Sequence, residues 1–132
     1  MTEYLDVQHR EMLDLARAIL EVVEDFPARS SDKLNRARLA LSRTVTAHCK
    51  AEAALLEQCS EQIKPEIMRR YHDELLAWRH DLIACNTDWP PERVWDEPAA
   101  FKAAFRKIVD ALQARILWER IAIYPIILHK AA

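Results

Sequence analysis

Four segments of this 132-residue chain each set a residue of metal-ligating or acid-base type on an otherwise apolar helical stripe. His48 and Glu52 are spaced i, i+4 in HCKAE, so on a helix they project from one face about a turn apart and can ligate a common centre. RILWE repeats that spacing with Arg115 and Glu119, while His9 and His72 stand singly on two further stripes. Burying such groups unpaired costs several kcal/mol or shifts their protonation, so the repetition needs a cause. Imidazole and carboxylate converging in a helical core suit iron, manganese or zinc. A guanidinium has no lone pair to offer a metal, so Arg115 reads instead as a charge substitute that pairs with carboxylates.

The elements that must position these groups follow from apolar periodicity. Leu5, Met12, Leu13, Ala16, Ile19, Leu20 and Val23, with His9 among them, predict a helix from about Thr2, a candidate N-cap, to about Glu24, where Phe26-Pro27 turns the chain out of helical geometry. Ser31 or Asp32 can cap a second helix with Leu34, Ala37, Leu41, Val45, His48, Glu52, Leu55, Leu56 and Cys59 inward. Lys64-Pro65-Glu66 opens a third, with Met68, His72, Leu75, Leu82 and Ile83 inward and Arg79 intruding. Pro98 opens a fourth, carrying Phe101, Phe105, Ile108, Leu112, Arg115, Ile116, Glu119 and Ile123, until Pro125 kinks or ends it. TDWPPERVWDEP between the last two holds three of the six prolines and two tryptophans, a structured connection.

Short connections between four such helices predict an all-α, up-down-up-down antiparallel four-helix bundle, a single domain over residues 1–132. Depth along it is the sharper test, at about 1.5 Å per residue. His9 and His72 each lie about seven residues after a helix start, while His48 and Glu52, and Arg115 and Glu119, lie about six to ten before a helix end. In an antiparallel arrangement all six reach one level. Tyr71 and Tyr124 lie at a nearby depth and can supply hydrogen bonds to the cluster.

In order and spacing the chain resembles the hemerythrin-like, or HHE cation-binding, family. That family sets a His on the first helix, H-x-x-x-E on the second, a His on the third and H-x-x-x-E on the fourth, often followed by Y-P or F-P. The matches are His9 in VQHREML, His48 and Glu52 in AHCKAEAAL, His72 in YHDEL and Glu119 in WERIAIYP, covering nearly the whole chain. The resemblance implies a non-haem di-iron site that binds oxygen, nitric oxide or iron itself, with carboxylates bridging and histidines capping the metals. It also implies that Arg115 occupies the place of a ligating His.

Two readings stand open at this point. In one, His9, His48, Glu52, His72 and Glu119 bind non-haem iron, as one ion or a weakened di-iron site, and the domain is a sensor, store or carrier rather than an enzyme. In the other no metal is bound: Arg115 pairs with Glu52 and Glu119, and the bundle serves protein interaction or regulation. A protein partner or a homo-oligomer fits either one.

Composition narrows the remaining classes. A net charge of −2 with mixed signs along every segment gives no stripe for tracking phosphates, so nucleic acid is not an expected partner. The absence of glycine removes the usual nucleotide-binding loops. No apolar run approaches the ~20 residues that span a bilayer and no leader pattern precedes the first helix, so a cytoplasmic, membrane-free protein is expected. Cys49, Cys59 and Cys85 lack C-x-x-C spacing and read as packed thiols. His80, His129 and the face carrying Lys33, Arg36, Arg38 and Arg43 read as solvent-facing, and the four tryptophans as packing and loop anchors.

Overall fold

A computed structural model describes residues 2–24 and 30–131, with side chains from 4 to 24 and from 30 to 128. Its elements are α1 (Thr2–Glu24), α2 (Ser31–Gln58), a 3-10 turn (Ser60–Gln62), α3 (Pro65–Asp88), α4 (Pro91–Asp96), α5 (Pro98–Ala122) and α6 (Tyr124–Ala131). The chain is all-α among the described residues, and no helix there is long and apolar enough to cross a membrane. The capping side chain of Thr2, the Phe26-Pro27 break and the side chain of His129 lie outside the described residues.

Local chemistry sets the helix ends. Ser30, rather than Ser31 or Asp32, caps α2: its extended backbone lets Oγ accept from the Lys33 N–H at 3.2 Å, satisfying a donor left free in the first turn. Prolines open α3, α4 and α5, where a missing N–H removes nothing. Pro125 cannot continue the ladder of α5, which stops at Ala122; the chain restarts as α6, with Ile126 and Ile127 N–H groups donating to Ile123 O. The proline-rich connection is ordered around α4, with Val94 fully buried and Trp95 Nε1 donating to Ser31 Oγ at 3.3 Å.

Cross-helix bonds give the relative directions. Gln8 meets His48, placing the start of α1 against the end of α2. Asp6 pairs with Arg120 and Glu24 with Lys102, so α1 and α5 run oppositely. Trp78 Nε1 donates to Ile108 O at 3.1 Å while Arg115 reaches Tyr71 O, so α3 and α5 do too. The apolar stripes of α1, α2 and α5 face inward as their periodicity predicts, down to half-buried Ala37 and Leu55.

The third stripe needs correction. Tyr71, Trp78 and Leu82 are buried along it with Leu75 half-buried, whereas His72 is exposed and Ile83 is 63% exposed. Tyr71 and His72 differ by about 100° around a helix, so filling the core with the phenol turns the imidazole out. Arg38 does not belong to a solvated face. It is half-buried, donates from Nη2 to Trp89 O at 2.7 Å, and lies 5.4 Å from the Phe101 ring centroid, closing the C-terminal end of α3. His80 is exposed, Trp78 and Trp89 are buried, and the three cysteines are free thiols.

The apolar interior forms two clusters. The larger, with Met12, Ile19, Leu34, Trp89, Val94, Phe101 and Phe105, fills one end, and the smaller, with Leu5, Leu56, Ile63, Tyr71, Ile123 and Ile127, closes the other. Except for Arg115, which is flanked by Leu112 and Ile116 of the larger cluster, the buried polar residues fall between members of the two. His9 sits between Leu5 and Met12, His48 and Glu52 between Val45 and Leu56, and Glu119 between Ile116 and Ile123.

Candidate metal centre

That polar layer consists of Gln8 and His9 from α1, His48 and Glu52 from α2, and Arg115 and Glu119 from α5, all buried. His9, His48, Glu52 and Glu119 each direct one ligand-type atom to a common region, and these atoms lie within 4.8 Å of one another. His72 takes no part. Its replacement by alanine is expected to leave stability within about 0.5 kcal/mol and metal uptake unchanged, by denaturant titration and metal analysis. A larger effect would mean that the imidazole turns inward.

Glu52 is the hub. Its Oε1 accepts a short hydrogen bond from the Tyr71 hydroxyl, and its Oε2 accepts from Tyr124 at 3.1 Å and contacts His48 Nε2 at 3.1 Å. Burial alone would raise its pKa, but hydrogen bonds, His48's foremost, hold this carboxyl well below the usual range. Burial and the Glu52 charge push both tyrosines up, so each stays a protonated donor.

Gln8, absent from the sequence-level candidates, orients His48. Its side-chain amide lies 2.9 Å from His48 Nδ1 and so fixes the direction of the ring. Nε2 faces the Glu52 carboxylate, a contact that one proton or a metal ion between them satisfies. The signal for Gln8 was its position in the 5, 8, 12 spacing of α1.

His9 Nε2 lies 3.0 Å from the Tyr124 hydroxyl, 3.9 Å from Glu52 and 3.8 Å from Glu119 Oε1. Burial, with His48 nearby, lowers its pKa to about 4, so it is a neutral imidazole with a lone pair available. Cys49 borders the same space, but burial pushes its thiol up to about 11, and it offers no thiolate.

Arg115 contacts Glu119 alone of the two carboxylates, which corrects the expected pairing with both. Its Nε is 2.9 Å from Glu119 Oε2, Nη2 donates to Tyr71 O at 2.9 Å, and the guanidinium lies 4.8 Å from the Tyr71 ring centroid. The Nε–H is not aligned for a hydrogen bond, and Glu119 Oε1 is buried without a partner. The 2.9 Å approach speaks for an ionised Glu119, whereas burial and the adjacent Glu52 charge push its pKa up. The second effect prevails, because an unaligned guanidinium compensates the carboxylate only partly; two facing carboxyls then keep one proton between them.

Two histidines and two carboxylates suit one transition-metal ion, with Glu119 Oε1 as an otherwise unexplained acceptor. Ligands of one ion lie at most ~4.4 Å apart, twice the longest of the usual bonds, so the four atoms need to close by only a few tenths of an ångström. The space beside them, about 10 Å³, is at the lower limit for one water-sized occupant. A second ion finds no ligand where Arg115 stands or where His72 faces outward. No family model, curated protein or solved structure matches this chain.

Proposed function

We propose that this chain is a hemerythrin-like, up-down-up-down antiparallel four-helix bundle that binds one non-haem iron ion through His9, His48, Glu52 and Glu119, acting as a sensor, store or carrier rather than an enzyme. The observation that carries this reading is the convergence of those four buried donors from three helices within 4.8 Å. The opposed directions of α1 with α2, α1 with α5 and α3 with α5 support the bundle, and the mixed imidazole-carboxylate set supports iron. A ligand for the bound ion would be a small gas, as the resemblance to the hemerythrin-like family implies.

Reconstitution with ferrous iron in the absence of oxygen, followed by metal analysis, should give about one ion per chain by the four-donor argument. A ratio near zero rejects the reading, and a ratio near two rejects the single-ion form of it. The metal-free alternative, a bundle serving protein interaction, is favoured by one observation: Glu52 already has Tyr71, Tyr124 and His48 as partners, and Arg115 lies against Glu119. It requires the zero ratio.

A further inference from the structure

Tyr124 stands among the four donors rather than behind them. Its hydroxyl oxygen is 3.0 Å from His9 Nε2 and 3.1 Å from Glu52 Oε2, and those two atoms are 3.9 Å apart. The circle through the three atoms has a radius of about 2.0 Å, the length of a metal bond to an imidazole nitrogen or a carboxylate oxygen, so one ion can reach all three at once. Tyr71 is placed differently. It bonds the other oxygen of Glu52, Oε1, and makes no hydrogen bond to His9 or His48 among the described residues.

Packing holds the Tyr124 phenol in this position. The residue opens α6 directly before Pro125, which fixes the next backbone angle. Its buried ring lies along the His9 imidazole, the centroids 5.5 Å apart and the planes 7° from parallel. An oxygen held at ligand spacing needs no rearrangement of the chain to reach an ion.

Charge decides when it does so. Glu52 and Glu119 together supply two negative charges, which balance a divalent ion. A trivalent ion leaves one positive charge over in a buried layer that already holds the Arg115 guanidinium against Glu119, and a buried charge without a partner is costly. The Tyr124 phenol, in contact with two of the donors, becomes the missing anion by giving up its proton, and phenolate is an iron ligand.

We propose that Tyr124 is a fifth ligand of the centre, taken up when the bound ion becomes trivalent, so that this side chain distinguishes the two oxidation states of iron. The proposal rests on the single-ion reading.

The test starts from protein loaded with ferrous iron without oxygen, its iron-to-chain ratio measured first. Ferricyanide, a one-electron oxidant, then takes the electron from the iron and becomes ferrocyanide. The Tyr124 O–H bond breaks, its oxygen bonds the ion, and the proton passes to the buffer. Once the cyanides are removed by gel filtration, the ferric protein should show a phenolate-to-iron charge-transfer band in the visible that the ferrous protein lacks. Tyr124→Phe should keep the ferrous ratio and lose the band, whereas Tyr71→Phe should keep both. Of the three tyrosines Tyr4 is 60% exposed, so the Tyr71→Phe protein has Tyr124 as its one buried phenol and carries the assignment even where Tyr124→Phe does not fold. An iron-loaded protein that gains no band on oxidation, a band retained in Tyr124→Phe, or a band lost in Tyr71→Phe overturns the proposal and leaves the single-ion reading standing. A zero iron ratio overturns both.

Discussion

Ferrous iron is expected to bind about tenfold more tightly for each unit of pH between about 6.5 and 8, one proton leaving for each ion that enters. The proton is the one that Glu119 keeps because burial and the neighbouring Glu52 charge raise its pKa. His9, with a pKa near 4, is already neutral in this window and adds no competing proton. The same groups set the sign for the metal-free protein. Between about 4 and 6.5 the unfolded chain protonates His9 and the folded chain does not, so this group's contribution to stability is lost as pH falls. Glu119 acts oppositely: above its ordinary 4.5 the folded state holds a proton that the unfolded state releases, so stability falls as pH rises. The two offset one another up to pH 6.5, and above it the Glu119 effect stands alone. Anaerobic competition titrations at several pH values measure the slope. A slope of zero would show that Glu119 is already ionised against Arg115.

Replacing Glu52 by leucine is expected to destabilise the metal-free protein by roughly 3–5 kcal/mol, the range for removing one partner from a buried charged network. The Tyr71 and Tyr124 hydroxyls and His48 Nε2 lose a buried acceptor together, and each unsatisfied group costs on the order of 1–3 kcal/mol. Without the Glu52 charge Glu119 is freer to ionise against Arg115, which offsets part of this and keeps the total below the simple sum. Thermal unfolding should shift down by on the order of 10 °C. Glu52→Gln should lose less, since an amide oxygen still accepts from a tyrosine. A leucine variant as stable as the parent would mean that these contacts are no better than contacts with water.

Helices α1, α2 and α5 were legible because one apolar residue every three or four positions leaves a single possible inner face, and polar intruders such as His9 and Glu52 lie on it. The third helix was not. Its true stripe, Tyr71, Leu75, Trp78 and Leu82, has the same spacing, but two of its members are aromatics with polar tips, and the neighbouring histidine fits the ligand pattern better. Periodicity fixes an angle only to within a residue when adjacent positions are both plausible. Arg115 was read correctly as inward, but its choice of Glu119 over Glu52 depends on side-chain reach and on which donors already surround Glu52. Nothing in the spacing of Arg38 distinguishes it from solvated neighbours; its role comes from the end of α3 meeting α2.

The polar layer between the two apolar clusters means that this small protein does not have one continuous oily interior. It has two apolar compartments in series, and the smaller is closed by Leu5 from α1, Ile123 at the end of α5 and Ile127 from α6. Tyr124, the first residue of α6 and directly before Pro125, belongs to that lid and also contacts Glu52 and His9. Loss of the layer's cohesion therefore releases the lid while the compartment around Phe101 and Phe105 keeps its own contacts. Helices α1 and α6 thus meet at the centre's roof, where Leu5 and Ile127 share one apolar cluster beside Tyr124.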